Sequence, residues 1–364
     1  MAVIENYTSN KKISGTNGND YIYNEGDFVK ITAGNGNDTI DNEVLGYSAG
    51  GFKVKIDGGA GNDSITNDGD NSTLKGGAGN DYIENWALNT FISGDEGNDK
   101  IYSCGSNVTI VASKGNDAIF NGGYYDSNGY YSYSGSNVLF KYSSGDGNDI
   151  IRGFNETSTL SISGGSYTST KNGDDIIVTV GKGKISLMGA ASLSKVNITS
   201  DYLKVTNSTK SPVTVSSAIK TINASSRTKT VKITGNSLAN TIKGGSNKDT
   251  IYGGKGNDSI LGNAGNDKLF GGAGNNTLTG GTGDDTLKGG EGADVFAYFN
   301  GDGNDTILDY QPGKDTIKLN SGFILDVSYK KKDLVFTVGS GTITVKNGKG
   351  KKNYRNRRTR QNYK

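Results

Sequence analysis

Between Gly244 and Ala297 an acidic or amide side chain recurs every nine residues: Asp249, Asp258, Asp267, Asn276, Asp285 and Asp294. Each stands sixth in a nonapeptide, and the six nonapeptides (GGSNKDTIY, GGKGNDSIL, GNAGNDKLF, GGAGNNTLT, GGTGDDTLK, GGEGADVFA) follow one another without a gap. Carboxylate and carbonyl oxygens are hard donors. A cage of six or more of them suits Ca²⁺, whereas Zn²⁺ calls for His or Cys. The chain has no His and a single Cys, Cys104. That removes His-dependent triads, HExxH metalloprotease sites, a zinc ligand set and any intramolecular disulfide.

The spacing indicates how such a cage forms. Six Gly-rich residues make a turn, because Gly takes φ > 0 freely and leaves its carbonyls open to a ligand. The last three make a short strand with one inward apolar side chain: Ile251, Ile260, Leu269, Leu278, Leu287 and Phe296. Two repeats close one coil, and repeats i and i+2 stack at about 4.8 Å. Two carboxylates and several carbonyls then meet at one point.

The N-terminal half carries a related period. Gly-Asn-Asp places Asp20, Asp38, Asp63, Asp81, Asp99 and Asp117 at steps of 18, 25, 18, 18 and 18. An Ile follows two residues after each, and most have an apolar residue nine before that Ile, as Ile31 precedes Ile40. Two strands and two turns again make one coil, with the Asp motif on only one of the turns. This predicts one file of metals in the first half and two in the second. The second-half edge containing Asn240 and Asn276 should be the weaker. The step of 25 predicts a loop near Val44–Phe52. A Tyr-rich break between Asn121 and Asn137 holds Tyr124, Tyr125, Tyr130, Tyr131 and Tyr133.

A longer motif occurs twice. Phe140-KYSSGDGNDIIRGF leads to Asp175-IIVTVGKGKISL, and Phe296-AYFNGDGNDTILDY leads to Asp333-LVFTVGSGTITV. The second part of each reads as a closing hairpin, of the kind a solenoid needs to cover its end coil. Two such endings predict two tandem rolls. Residues 1–200 form the first, with a cap at about 140–200. Residues 201–350 hold a linker coil and the second roll, its nonapeptides at 244–297 and its cap at about 298–350. Residues 351–364 read as a basic disordered tail. Residues 346–364 hold nine Lys/Arg and no acid, so the body, with 30 basic and 37 acidic residues, is an acidic chain hidden by a net charge of +2.

The nonapeptides resemble those of the repeats-in-toxin (RTX), hemolysin-type calcium-binding proteins. The resemblance implies an all-β, right-handed parallel β-roll (a β-solenoid), with metal held by position-six carboxylates and turn carbonyls. On this chain the carboxylates are Asp20, Asp38, Asp63, Asp81, Asp99, Asp117, Asp149, Asp249, Asp258, Asp267, Asp285, Asp294 and Asp305. The turn glycines are Gly36, Gly61, Gly79 and Gly97, then Gly245, Gly254, Gly256, Gly265, Gly272, Gly274, Gly281, Gly283, Gly290 and Gly292. The resemblance also implies export by type I secretion machinery. The start has no basic stretch followed by an apolar one, so no cleavable signal peptide is expected there, and no long apolar run predicts a membrane span.

The leading reading is a secreted, extracellular calcium-binding structural or adhesive protein without catalytic residues, with calcium as its cofactor. A glycan or cell-surface ligand is a candidate partner, and nucleic acid is not. One alternative is a carbohydrate-binding accessory similar to the repeat modules of alginate epimerases, with the tyrosines as its contact. Another is a His-free polysaccharide lyase, for which the body offers only Arg152 and Arg227. Gly-rich coils with one inward apolar residue per repeat bury too little to offset their ordering entropy. Metal-free protein should therefore give a coil-like far-UV circular dichroism spectrum, and millimolar Ca²⁺ a cooperative β signal. Mg²⁺, which demands short octahedral geometry, should not replace it. A fully folded metal-free chain would refute the entropy argument.

Overall fold

The computed structural model describes residues 1–43, 52–122 and 135–348. The loop expected near Val44–Phe52, the five tyrosines of the 121–137 break and the basic tail lie wholly or mostly outside these residues. The described chain is strands and turns, apart from one 3₁₀ turn, Ala190–Ser192. Among the described residues no helix is long and apolar enough to cross a membrane.

The protein is a parallel β-solenoid. Its contacts divide it after Ser200 into two units. The first unit has sheets of 11 and nine strands, the second of seven and nine. Within each sheet the coil-to-coil pairing is parallel and in register. Ile22, Ile40, Ile65, Ile83, Ile101 and Ile119 form one column, and Ile31, Ile56, Leu74, Ile92 and Ile110 face them from the other sheet. All are essentially buried. Side chains alternate faces along a strand, so one apolar residue per strand suffices to line the core. The longer step between Asp38 and Asp63 leaves the register intact, since Ile40 still pairs Ile65.

The stretch read as a linker is already coil. Strands Tyr202–Lys204, Thr221–Asn223 and Thr241–Lys243 stack in one sheet; Val213–Thr214, Lys232–Thr234 and Thr250–Lys255 stack in the other. The core columns here are Leu203, Ile222, Ile242 and Val213, Ile233, Ile251. Three of their four steps are slightly longer than a pair of nonapeptides, and that uneven advance hides them from a search at period nine.

Each unit carries the same ending. Strand Gly183–Leu187 runs parallel to Asn148–Arg152, then pairs antiparallel with Asp175–Val180, which pairs antiparallel with Tyr167–Asn172. In the second unit, Gly341–Val345 runs parallel to Asn304–Ile307, then pairs antiparallel with Asp333–Val338, which pairs with Ile324–Lys330. Tyr142 donates to the Gly147 carbonyl at 2.7 Å, and Tyr298 to that of Gly303 at 2.6 Å.

The first unit's second edge, which lacks the Asp motif, is closed by an amide ladder. Asn6 Nδ2 donates to Asn24 Oδ1 (2.6 Å), Asn24 to Asn42 (2.7 Å), Asn42 to Asn67 (2.7 Å), Asn67 to Asn85 (2.8 Å), and Asn85 to Ser103 Oγ (3.3 Å). The amides also donate to the carbonyl two residues on, as Asn24 does to Gly26 and Asn85 to Ala87, both at 2.9 Å. From Asn24 to Asn121 these side chains are buried. A primary amide offers two donors and one acceptor group, enough to bond the next coil and its own turn together. Asn67→Ala leaves Asn85 Oδ1 and the Gly69 carbonyl without these donors. It should lower stability by roughly 2–3 kcal/mol, read from the denaturant midpoint in saturating calcium, with the amount of calcium bound unchanged.

Candidate metal centres

The position-six aspartates of the first unit form a continuous file of charge-assisted bonds. The backbone N–H of each donates to Oδ1 of the aspartate one coil on. The distances are 2.7 Å for Asp20 to Asp38 and Asp38 to Asp63, 2.8 Å for Asp63 to Asp81 and Asp81 to Asp99, 2.7 Å for Asp99 to Asp117 and 3.0 Å for Asp117 to Asp149. The preceding asparagine bonds the opposite way. Asn37, Asn62, Asn80, Asn98 and Asn116 each donate their N–H to the asparagine Oδ1 of the coil before, at 2.7–2.9 Å. Each Asn-Asp pair thus clamps both neighbouring coils.

The file uses only one oxygen of each carboxylate. Oδ2 of Asp38, Asp63, Asp81, Asp99 and Asp117 is buried with no hydrogen-bond partner, and so is Oδ2 of Asp258, Asp267, Asp285, Asp294 and Asp305. Around several of these orphans a main-chain carbonyl lies close by. A Cβ on Gly58, Gly76 or Gly94 would stand 2.5, 2.3 or 2.1 Å from Oδ2 of Asp63, Asp81 or Asp99. It would also stand 2.5, 2.7 or 2.9 Å from the carbonyl oxygen of Gly76, Gly94 or Ala112 in the next coil. Gly253 and Gly262 hold the same place beside Asp258 and Asp267. These first-position glycines are absent from the set read from sequence, which took the second and fourth positions. Most of the latter have φ near +100° to +140°; Gly245 does not.

Two files run through the second unit. In one, the N–H of Asp249 reaches Asp267 Oδ1 (2.7 Å), Asp267 reaches Asp285 (2.6 Å) and Asp285 reaches Asp305 (3.1 Å). In the other, Asn240 reaches Asp258 (2.7 Å), Asp258 reaches Asn276 (3.0 Å), Asn276 reaches Asp294 (2.8 Å) and Asp294 reaches Asp315 (3.0 Å). Asp315 lies beyond the last nonapeptide, and a count at period nine does not reach it.

Not every member leaves an oxygen open. Asp20 Oδ2 accepts from the Thr16 N–H and Asp249 Oδ2 from that of Gly245, so the first carboxylate of each of these files is already satisfied. Asn276 Nδ2 donates to the carbonyls of Gly274 (3.1 Å) and Gly289 (3.3 Å), placing a proton donor where its neighbours present an orphan oxygen. Arg227 goes further. Its buried guanidinium donates to the carbonyls of Thr206 and Thr209 in one turn and of Lys229 and Thr230 in the turn stacked on it, one coil before Asp249. The arginine considered for lyase chemistry is thus a fixed internal cation, and Arg152 lies over the Phe120 ring at 5.8 Å.

Among the described residues no three His, Cys, Asp or Glu side chains converge. A cation held here would take most of its donors from the main chain. The orphan carboxylate oxygens and adjoining carbonyls fit Ca²⁺, which accepts uncharged oxygens and irregular geometry.

Without metal, burial drives these carboxyls upward: to about 6 for Asp63, Asp81, Asp99, Asp258 and Asp285, about 7 for Asp149 and Asp267, and about 8 for Asp117 and Asp305. Asp20, held by the Ala2 N–H, is instead lowered. A carboxyl raised in the folded state makes the fold bind more protons than the unfolded chain. Its stabilising contribution is complete below the unfolded value near 4 and is lost as pH rises through about 6 to 8. Metal-free protein, coil-like at pH 8, should therefore gain β signal on acidification to pH 5, followed by circular dichroism. The reverse change would count against buried, unpaired carboxyls.

The RTX calcium-binding nonapeptide repeat (4 copies) profile matches residues 14–43, 49–74, 57–92, 93–123, 234–269, 261–296 and 270–307. No curated protein matches the chain. Among solved structures, it is similar to the extracellular lipase LipA from Serratia marcescens, at 20% identity, TM-score 0.27, over 74% of this chain. The chain spans 38% of the lipase. It is similar to the AlgE6R3 subunit of the Azotobacter vinelandii mannuronan C5-epimerase, at 28% identity, TM-score 0.17, over 30% of this chain and 71% of that one. It is also similar to a hyperactive, Ca²⁺-dependent, β-helical antifreeze protein from an Antarctic bacterium, at 18% identity, TM-score 0.27, over 89% and 95%. The profile falls on both units and on the turns that carry the orphan carboxylates: the chain is an RTX, hemolysin-type calcium-binding repeat protein.

Proposed function

We propose that calcium lies along the aspartate files and that the chain is a secreted structural or adhesive protein that folds on meeting extracellular calcium. The observation that supports this is the repeated buried Oδ2 without a partner beside turn carbonyls. In this reading Asp38, Asp63, Asp81, Asp99 and Asp117 hold a single file in the first unit. Asp267, Asp285 and Asp305 hold one file in the second, and Asp258 and Asp294 a sparser one broken by Asn276. Bound calcium supplies positive charge to groups that burial otherwise forces to take up protons. Because it binds the folded array and not the open chain, it stabilises by linkage. Dissociation constants of about 0.1–1 mM, usual for extracellular modules, leave the chain unfolded at cytosolic calcium and folded outside. Export through a type I system fits that order of events. The three-stranded endings act as caps that cover the last core residues of each roll.

Two substitutions separate metal binding from coil clamping. Asp81→Asn keeps an Oδ1 for the Asp63 N–H and supplies an amide donor in place of Oδ2, as Asn276 does. It should fold in calcium while binding at least one ion fewer, measured by equilibrium dialysis. Asp81→Ala also removes the acceptor of a buried N–H. It should cost roughly 1–3 kcal/mol further, seen as a lower thermal midpoint than that of Asp81→Asn. Unchanged calcium content in Asp81→Asn would show that carbonyls alone hold the metal.

A further inference from the structure

The two endings differ at one strand. In the first unit the outermost strand, Tyr167–Asn172, is mostly polar and exposed. In the second, Ile324–Lys330 occupies the same place but presents Leu325, Val327 and Tyr329 at 55%, 48% and 59% exposure. Register fixes the contrast position by position. Ser169 and Lys171 sit opposite Val178 and Ile176 in the first unit; Val327 and Tyr329 sit opposite Phe336 and Leu334 in the second. Phe336 and Leu334 are buried, so the exposed stripe continues the core-facing side of the sheet past its last covered strand.

The strand is also the end of its sheet: its one strand neighbour among the described residues is Asp333–Val338. Its other side therefore offers a row of main-chain donors and acceptors. An open edge combined with an apolar face is a template for strand addition, and soluble proteins normally blunt it with charge. The first unit does so with Lys171 within the stripe; the second places no charge there.

We propose that Ile324–Lys330 pairs antiparallel, edge to edge, with the same strand of a second copy of this chain. An isologous pair must be self-complementary about a twofold axis. With the axis at Ser328, Val327 falls opposite the partner's Tyr329, and Asp326 falls opposite the partner's Lys330, each twice by symmetry. Neither Asp326 nor Lys330 is in an ion pair among the described residues; Lys330 stands opposite Asp333, which is itself paired with Lys346 at 2.9 Å. With the axis at Val327, Asp326 instead meets the partner's Ser328 and Lys330 the partner's Ile324. Between these two registers charge favours the Ser328 axis, since opposite charges across an antiparallel pair are favourable and like charges are not.

Sedimentation velocity on the full chain in millimolar calcium, across a concentration series, tests this. The wild-type chain should form a dimer. Asp326→Lys and Lys330→Asp, each placing like charges opposite one another, should each raise the dimer dissociation constant about tenfold or more. The double swap Asp326→Lys/Lys330→Asp restores complementarity only about the Ser328 axis and should recover the dimer. Circular dichroism in calcium checks that every variant is folded, independently of where the metal binds. A monomeric wild-type chain, folded single variants that dimerise normally, or a double swap that stays dissociated would each overturn the proposal.

Discussion

Everything in this fold hangs on the bond between an aspartate's N–H and the carboxylate one coil away. It fixes coil spacing and register at the turn, where the chain is mostly glycine and has no side-chain packing to do so. It also uses only one of the two carboxylate oxygens, and stacking places the other in the protein interior. A file of like charges at strand spacing is unfavourable on its own. The same contact that orders the coils therefore creates the demand for a cation.

The chain meets that demand in more than one way. On the first unit's other edge Val29, Ser72, Thr90 and Val108 stand at the aspartate's place in the repeat, and asparagines at the start of the turn bond coil to coil and close it with uncharged amides. Within the second unit's sparser file, Asn276 puts an amide at the aspartate position itself. At the head of the other file, Arg227 places a guanidinium among four carbonyls. These are three answers to one problem: a ring of turn oxygens needs positive charge or donated protons. Carbonyls that ring a guanidinium at Arg227 and accept from an amide at Asn276 are the same type of group that a hard metal ion would use.

Much of this was legible in the sequence, and the limits have physical causes. The Asp and Ile columns follow from a strict coil-to-coil step, because stacked strands cannot slip by one residue without turning the core outward. The amide ladder was equally periodic: Asn24, Asn42, Asn67, Asn85 and Asn121 each stand four residues after an aspartate. Asparagine in a Gly-rich turn reads first as turn chemistry, which masks the ladder. The place of Arg227 inside a turn, and the coils between 202 and 243, are masked by steps a little longer than a pair of nonapeptides. Asp315 was hidden by the longer coil of the C-terminal ending. The role of the first-position glycines depends on what lies one coil away, which no spacing within the repeat reveals.

The bonds from Asp38 to Asp63 and from Asp117 to Asp149 bridge chain separations of 25 and 32 and measure 2.7 and 3.0 Å. Those from Asp20 to Asp38 and from Asp81 to Asp99 bridge a separation of 18 and measure 2.7 and 2.8 Å. The stack counts coils, not residues. A coil can therefore lengthen at a turn without disturbing its neighbours, provided the chain returns to the next rung. Gene-level insertions at such points are nearly neutral for the frame, while a one-residue deletion inside a strand would be fatal to it. The solenoid thus works as a ruler that can carry attachments at fixed intervals, and what those attachments are can change faster than the ruler itself.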